Sequence, residues 1–131
     1  MKILIVDDVF ENRKLLQDLM ADQGQCEMVS NGQDALDLFE ASITDDTRYD
    51  LVLLDIMMPG IDGQEVLKLM RAKENELGVP PSEESAIIMI TAVNAPRHVL
   101  DAFFKGGCTD YIAKPVSREA LFNKLKEYDL I

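Results

Sequence analysis

The chain has 131 residues, of which 47% are hydrophobic and 28% charged, a balance typical of one globular domain rather than a disordered segment. Its formal net charge of -11 disfavours binding to nucleic acid or to anionic membrane surfaces, because like charges repel. Residues 1–90 hold 7 basic and 19 acidic side chains, whereas residues 91–131 hold 6 and 5. The last third of the chain is therefore the part least repulsive to an acidic partner.

The sequence shows neither an export signal nor a membrane span. Its apolar runs are of strand length, and the opening MKILIVDD has no signal-peptide cleavage site and no stretch of about 20 apolar residues. We therefore expect a cytoplasmic protein. Cys26 and Cys108 fit that compartment as reduced structural thiols, because two cysteines without a His or Cys cluster form neither a disulfide framework nor a zinc site.

Strand and helix patterns alternate five times along the chain. In chain order they are strand 2–6 and helix 15–20, strand 26–30 and helix 35–39, strand 51–54 and helix 66–70, strand 86–90 and a helix ending at Gly106-Gly107, and strand 111–113 with a helix through 120–125. Asn94 with Pro96 is expected to cap the start of the fourth helix, and Ser117 the start of the fifth.

This alternation predicts the fold class. Strands that are continuously apolar are buried on both faces, as in a parallel sheet that lies between two layers of helices. Right-handed crossovers make a five-stranded, doubly wound α/β sheet the natural architecture. Two long polar connections, 41–50 and 72–85, run from a helix into a strand and so lie opposite the ligand-binding edge. We interpret them as surface elaborations, with a partner contact as the alternative.

Polar residues follow four of the predicted strands. Asp7 and Asp8 follow the first strand, Asp55 the third, Thr91 the fourth and Lys114 the fifth. Each alone has an ordinary explanation as a cap or a surface group. Three carboxylates at one sheet edge would, however, repel one another unless a cation lies among them. Carboxylates, a backbone carbonyl and water are ligands that Mg²⁺ prefers, so the pattern predicts a magnesium site.

A site of this composition can also accept a phosphoryl group. Asp55, alone at the end of the central strand, is the expected nucleophile and would form an aspartyl-phosphate. Asp7 and Asp8 are better placed as metal ligands. The metal and Lys114 would supply positive charge to the transferring group, and Thr91 would supply a hydroxyl donor.

Four motifs in order, ILIVDD, LLDIMMPGIDG, ITA and YIAKP, resemble the receiver domain of two-component response regulators, and the resemblance covers essentially all of residues 1–131. It implies a flavodoxin-like sheet of order 2-1-3-4-5. It also implies phosphoryl transfer to Asp55 from a sensor histidine kinase or a histidine phosphotransfer protein. Such a domain is a signalling switch that catalyses only its own phosphorylation and dephosphorylation, not an enzyme acting on other substrates.

The resemblance further implies how the metal is held. The acid pair binds Mg²⁺, Asp8 directly and Asp7 usually through water. The residue two positions after the phosphoacceptor, here Met57, contributes its backbone carbonyl, so its thioether side chain is no obstacle.

The resemblance also assigns the switch. Thr91 and Lys114 engage the phosphoryl group, and the Lys114-Pro115 bond is expected to be cis. Tyr111 matches an aromatic residue that moves inward with the Thr91 hydroxyl, although it could be simply an amphipathic strand residue. The output surface would comprise the fourth helix, fifth strand and fifth helix, and would bind a downstream effector protein. His98, the only histidine, is expected to be a surface residue rather than a phosphodonor.

Two other function classes are weaker alternatives. A magnesium-dependent phosphatase of the haloacid dehalogenase type needs a second acid two residues after its nucleophile, where this chain has Met57. A flavin carrier needs a phosphate loop rich in Gly and hydroxyl groups after the first strand, where this chain reads DDVFEN. We expect a stand-alone regulator. The alternative is a receiver module excised from a hybrid histidine kinase or a larger regulator.

Overall fold

The computed structural model describes all residues, Met1–Ile131. The strands are β1 (Lys2–Val6), β2 (Gln25–Val29), β3 (Leu51–Asp55), β4 (Ala86–Thr91) and β5 (Asp110–Ala113). The helices are α1 (Phe10–Met20), α2 (Gly32–Thr44), α3 (Gly63–Glu76), α4 (Arg97–Lys105) and α5 (Arg118–Glu127), with a 3-10 turn at Pro81–Glu83. None of these helices is long and apolar enough to cross a membrane.

The strands form one parallel sheet of order β2-β1-β3-β4-β5, which confirms the predicted fold class. Every residue of the central strand β3 is buried, as its uninterrupted apolar sequence indicates. The edge strand β2, with the sequence QCEMV, is exposed or half-buried, and this explains why it is less apolar than the other four strands.

The sheet separates two apolar cores. Alternate residues of β3 point to opposite faces, because side chains along a strand have a period of two. Val52 and Leu54 pack with residues of α2, α3 and α4, whereas Leu51 and Leu53 pack with residues of α1 and α5. With both faces covered, the polar residues at the C-terminal ends of the strands extend from a sheet whose central strand is fully buried.

The predicted helix caps have different outcomes. The Ser117 hydroxyl accepts a hydrogen bond from the Ala120 N–H over 3.1 Å, so the cap of α5 is confirmed. The prediction for Asn94 is wrong, because the N-cap of α4 is Pro96 and no side chain caps this helix. A turn in which the Ala95 N–H donates to the Ala92 carbonyl leaves Asn94 ahead of the cap position.

The two long connections differ in part from their prediction. α2 extends to Thr44 and α3 to Glu76, so the first residues of each segment are helical. Both segments enter the N-terminal edge of the sheet, opposite the acid cluster, as expected.

Describing these connections only as surface elaborations is wrong, because five of their residues are buried: Ser42, Tyr49, Glu74, Val79 and Ser85. The Ser85 hydroxyl donates to the Tyr49 carbonyl over 2.6 Å, and the Ser85 N–H donates to the Glu74 carboxylate over 2.8 Å. The hydrogen bond from Ser85 to Tyr49 thus joins the two connections at the N-terminal edge of the sheet.

Candidate functional site

The C-terminal edge of the sheet brings the three predicted acids together. β1 pairs with β3 in the register Val6 to Leu54, so Asp7 and Asp55 occupy neighbouring strand ends. One carboxylate oxygen each from Asp7, Asp8 and Asp55 lies within 4.8 Å of the other two. Asp7 is only 1% exposed and Asp55 only 2%, whereas Asp8 is open to solvent. Two buried carboxylates thus lie beside an exposed one.

Asp7 keeps one carboxylate oxygen free within this cluster. Its N–H donates to the Val29 carbonyl, and its Oδ1 accepts from the Val9 N–H over 2.9 Å. Oδ2 is buried and has no hydrogen-bond partner. A buried carboxylate oxygen without a partner is costly, so this atom is suited to a cation or to a water molecule that a cation holds.

Asp55 is only partly neutralised by its neighbours. Its Oδ1 lies 3.2 Å from the Lys114 Nζ and accepts a long hydrogen bond of 3.4 Å from the Met57 N–H. Burial, and then the charge of Asp7, raise the pKa of Asp55, while Lys114 and the Met57 N–H act in the opposite direction. The net shift is upward, so the charged form of Asp55 lacks sufficient positive charge around it.

Thr91 and Lys114 complete the same edge. The Lys114 N–H donates to the Thr91 carbonyl over 2.7 Å, which ties the end of β5 to the end of β4. Thr91 is 1% exposed, and its hydroxyl oxygen has no hydrogen-bond partner. The Lys114-Pro115 peptide bond is cis. The edge therefore holds a hydroxyl with unused bonding capacity and an ammonium group next to the acids.

Tyr111 lies away from the acids, on the face between α4 and α5. Its ring meets that of Phe104 edge-on, with 6.1 Å between centroids, and the Lys124 Nζ lies 6.0 Å from the Tyr111 ring. β5 alternates buried and half-buried residues, so the pattern also suits an ordinary amphipathic strand. The Met57 side chain is 71% exposed, and His98 is exposed as expected.

Sequence reasoning missed Arg13 and an apolar border around the site. The Arg13 Nη1 donates to the Asp7 carbonyl over 2.7 Å. Phe10 and Val93 are 64% and 75% exposed, and a cleft of about 480 Å³ opens between α1 and the segment Lys114-Pro115. Phe10 could have indicated this apolar border from the sequence, because an aromatic residue stands on the exposed face of α1, where an amphipathic helix usually has a polar residue.

Comparison with known proteins relates this geometry to a family. A family model described as the response regulator receiver domain matches residues 3–126. The chain is 32% identical over 127 residues to the polar-differentiation response regulator DivK of Brucella anthropi, covering 96% of this chain and 94% of DivK. It is 33% identical over 129 residues to hybrid signal transduction histidine kinase L of Dictyostelium discoideum, covering 97% of this chain.

The two relatives differ in length. The chain spans about 6 to 12% of the hybrid and sensor kinases that it matches, but nearly all of DivK. Relatives of this chain thus include receiver modules within long kinases as well as short response regulators.

Solved structures agree with this assignment. A CheY-like response regulator receiver domain protein from Methanospirillum hungatei is 30% identical, with a TM-score of 0.72 over 97% of this chain and 92% of that one. The receiver domain of the Arabidopsis thaliana histidine kinase CKI1, in a complex with Mg²⁺ and BeF₃⁻, has a TM-score of 0.86 over 98% and 89% of the two chains. At 24% identity, this second likeness shows the fold alone. By its sequence and its fold, the chain belongs to the response regulator receiver domain family.

Proposed function

We propose that residues 1–131 act as one receiver domain in which Asp55 accepts a phosphoryl group, in a Mg²⁺-dependent transfer from a sensor histidine kinase or a histidine phosphotransfer protein. The observation that carries this proposal is the set of buried polar groups at one sheet edge, where Asp7 and Thr91 keep unpaired atoms beside the Asp55–Lys114 ion pair. In this role the protein is a switch whose only catalysis is its own phosphorylation and dephosphorylation.

The donor set fits Mg²⁺. Asp8, Asp55 and the backbone carbonyl of Met57 would hold the ion directly, and Asp7 would hold it through water. The unpaired Oδ2 of Asp7 and the raised pKa of Asp55 both indicate carboxylates that need further positive charge. When bound, the ion supplies positive charge to the phosphoryl oxygens and offsets the repulsion between the acids.

The groups that the transfer needs already lie at one sheet edge. A carboxylate oxygen of Asp55 bonds to phosphorus, the bond from phosphorus to the donor's imidazole nitrogen breaks, and its electron pair stays on that nitrogen. The Lys114 Nζ, 3.2 Å from Asp55 Oδ1, is placed to donate to a phosphoryl oxygen once Asp55 carries the group. The unpaired Thr91 hydroxyl can donate to another.

The apolar border of the site suits the docking of a phosphodonor. The exposed large hydrophobic side chains near the site are Val9 at the N-cap of α1, Phe10 and Leu15 within α1, and Val93 after β4. A donor helix with an apolar face would cover them and bring its histidine to Asp55. Ala92, next to Thr91, is small and exposed and leaves room for the incoming group.

The output would pass through the α4-β5-α5 surface to a downstream effector protein. Movement of the Thr91 hydroxyl toward the phosphoryl group frees space that the Tyr111 ring can enter, which separates it from Phe104 and Lys124. This surface belongs to the nearly neutral last third of the chain. A change from 1% to 99% active requires about 5.5 kcal/mol of differential interaction.

Chemical phosphorylation tests the nucleophile. The protein is incubated with acetyl phosphate and Mg²⁺, and its intact mass is measured. We expect one added phosphoryl group on the parent and on Asp37→Asn, an exposed acid on α2 that serves as control, and none on Asp55→Asn. Equal labelling of Asp55→Asn and the parent would contradict the assignment.

Calorimetric titration with Mg²⁺ tests the metal ligands. Asp8→Ala removes an exposed carboxylate of the cluster without leaving a buried cavity, so the fold should be retained. We expect weaker Mg²⁺ binding than in the parent. An unchanged affinity would rule out Asp8 as a ligand. A set of sensor kinases tested against the protein would then identify its cognate donor.

A further inference from the structure

Arg13 holds the turn between β1 and α1 from within the helix that follows it. Its Nη1 donates to the Asp7 carbonyl over 2.7 Å, and its guanidinium carbon lies 5.7 Å from the centroid of the exposed Phe10 ring. Arg13 therefore donates to a main-chain oxygen and not to a carboxylate, whereas the ion pair of the site is the one between Lys114 and Asp55. The Arg13 side chain thus acts on the conformation of the backbone rather than by neutralising an acid of the cluster.

This hydrogen bond fixes the peptide unit that joins Asp7 to Asp8. The Asp7 N–H is held by the Val29 carbonyl, and its Oδ1 is held by the Val9 N–H. With Arg13 on the carbonyl, the peptide plane cannot rotate without breaking a hydrogen bond. The Asp8 side chain is exposed, so no surrounding side chains enclose it. The orientation of the Asp7-Asp8 peptide therefore sets the direction in which the Asp8 side chain leaves the backbone.

We propose that Arg13 is a positioning residue for the cation site, which aims the Asp8 carboxylate at Asp7 and Asp55 by fixing the Asp7-Asp8 peptide. The proposal rests on the proposed function, since it takes Mg²⁺ as the ion of the acid cluster. Groups that orient metal ligands affect metal affinity without touching the metal. Arg13 acts on Asp8 in this way.

The charge of Arg13 makes the proposal sharply testable. A positive charge close to a cation site repels the cation, so removing it should by electrostatics alone strengthen Mg²⁺ binding. Removing the hydrogen bond should instead weaken binding, because Asp8 loses its fixed direction. The two effects have opposite signs, and the direction of the measured change decides between them.

The experiment compares Mg²⁺ titrations by calorimetry on the folded parent, Arg13→Gln, Arg13→Lys and Lys14→Gln. Lys14→Gln is the matched control, because it removes the same charge from the next residue of α1, where the side chain is exposed and pairs with Asp18. Arg13→Lys keeps the charge but loses the planar fork of donors. Circular dichroism verifies that each variant is folded.

We expect about a tenfold loss of Mg²⁺ affinity in Arg13→Gln, a smaller loss in Arg13→Lys, and none in Lys14→Gln. Binding by Arg13→Gln that equals or exceeds that of the parent would overturn the proposal, as would an equal loss in Lys14→Gln. If the parent itself binds no Mg²⁺, the proposed function fails. If Asp8→Ala weakens binding and Arg13→Gln does not, only the positioning role fails.

A second measurement uses the protein without metal. If Arg13 fixes the peptide between Asp7 and Asp8, the backbone amide of Asp8 should change its NMR shift and exchange faster with solvent in Arg13→Gln than in Lys14→Gln. The same amide in both variants provides the comparison. Matching shifts and exchange rates in the two variants would show that the turn does not depend on Arg13.

Discussion

The two edges of the sheet differ in how many hydrogen-bond donors surround their buried carboxylates. At the C-terminal edge, Asp7 and Asp55 are buried next to each other, and Asp7 keeps an oxygen without a partner. At the N-terminal edge, Glu74 and Asp110 are buried as well, but strong donors hold each of them. Acidic residues at similar burial thus keep unused bonding capacity at one edge and are fully hydrogen-bonded at the other.

The N-terminal edge shows how a buried acid is satisfied. Glu74 accepts from the Arg71 Nη1 over 2.6 Å and from the Ser85 N–H over 2.8 Å. Arg71 also donates to the carbonyls of Ser85 and Gly107, which links α3 to the segments that enter β4 and β5. Each charge is paired and hydrogen-bonded, which is the condition for a buried ion pair to persist.

Asp110 repeats this arrangement on β5. Its Oδ2 accepts from the Lys124 Nζ over 2.8 Å and from the Tyr128 hydroxyl over 2.7 Å, and its Oδ1 accepts from the Tyr111 N–H. Burial by itself opposes ionisation, but these donors outweigh it and hold the pKa of Asp110 below its usual value. The pKa of Asp55 moves in the opposite direction. Burial raises the pKa of both carboxyl groups, so the number of donors around each one accounts for the opposite net shifts.

The largest expected effect is on stability, at Glu74. Replacing it in Glu74→Ala leaves the half-buried Arg71 charge without its main partner and the buried Ser85 N–H without an acceptor. We expect the free energy of unfolding to fall by about 3 kcal/mol. Because the chain has no Trp, denaturant unfolding is followed by circular dichroism.

Glu76→Ala is the matched control for this measurement. Glu76 lies two residues further along α3, is largely exposed and pairs only with Lys73 on the surface. Its loss should change the free energy of unfolding by about 0.5 kcal/mol or less. Similar losses from both variants would mean that the buried network does not hold the N-terminal edge together.

Asp110→Asn should have the next largest effect, and its size should depend on pH. The folded-state pKa of Asp110 is lowered, so its stabilisation is fully present above the unfolded value of about 3.9 and is lost as pH falls through the folded value. We expect the variant to be about 2 kcal/mol less stable than the parent at pH 7, with a smaller difference at pH 3.

Asp129→Asn serves as the control at the same end of the chain. Asp129 is exposed and has a φ of 58°, a conformation that Asn also adopts readily. Its effect on the free energy of unfolding should be small at both pH values. A deficit in Asp110→Asn that does not shrink in acid would show that packing, rather than charge, accounts for the loss.

The sequence predicts the C-terminal edge far better than the N-terminal one. Strand ends of a parallel sheet converge by topology alone, so the acids after β1 and β3 and the donors after β4 and β5 could be assigned to one site without any side-chain detail. An apolar run such as 51–54 also has few alternatives to a buried strand. These features depend on order and periodicity, which a sequence displays directly.

The remaining features depend on contacts between residues that no local pattern links. Glu74 lies in a polar run and looks solvent-exposed, yet Arg71 and the distant Ser85 N–H make its burial possible. Asn94 is of a residue type that often caps helices, but α4 begins later and its N-cap is Pro96. The bond from Arg13 to the Asp7 carbonyl depends on one side-chain rotamer. Contacts of this kind form only when the chain has folded.

The smallest effect has the opposite sign and tests the comparison most directly. In the protein without metal, the charge on Asp55 is buried beside Asp7 and is offset only in part, by Lys114 and by the long hydrogen bond from the Met57 N–H. Asp55→Asn removes that charge with little change in shape, so the free energy of unfolding should rise by about 1 kcal/mol, whereas Asp37→Asn on the surface should leave it unchanged. Saturating Mg²⁺ should then stabilise the parent more than Asp55→Asn, because the variant has lost a ligand. A less stable Asp55→Asn would mean that the ion pair with Lys114 already satisfies Asp55, and that the two edges do not differ in the way their geometry indicates.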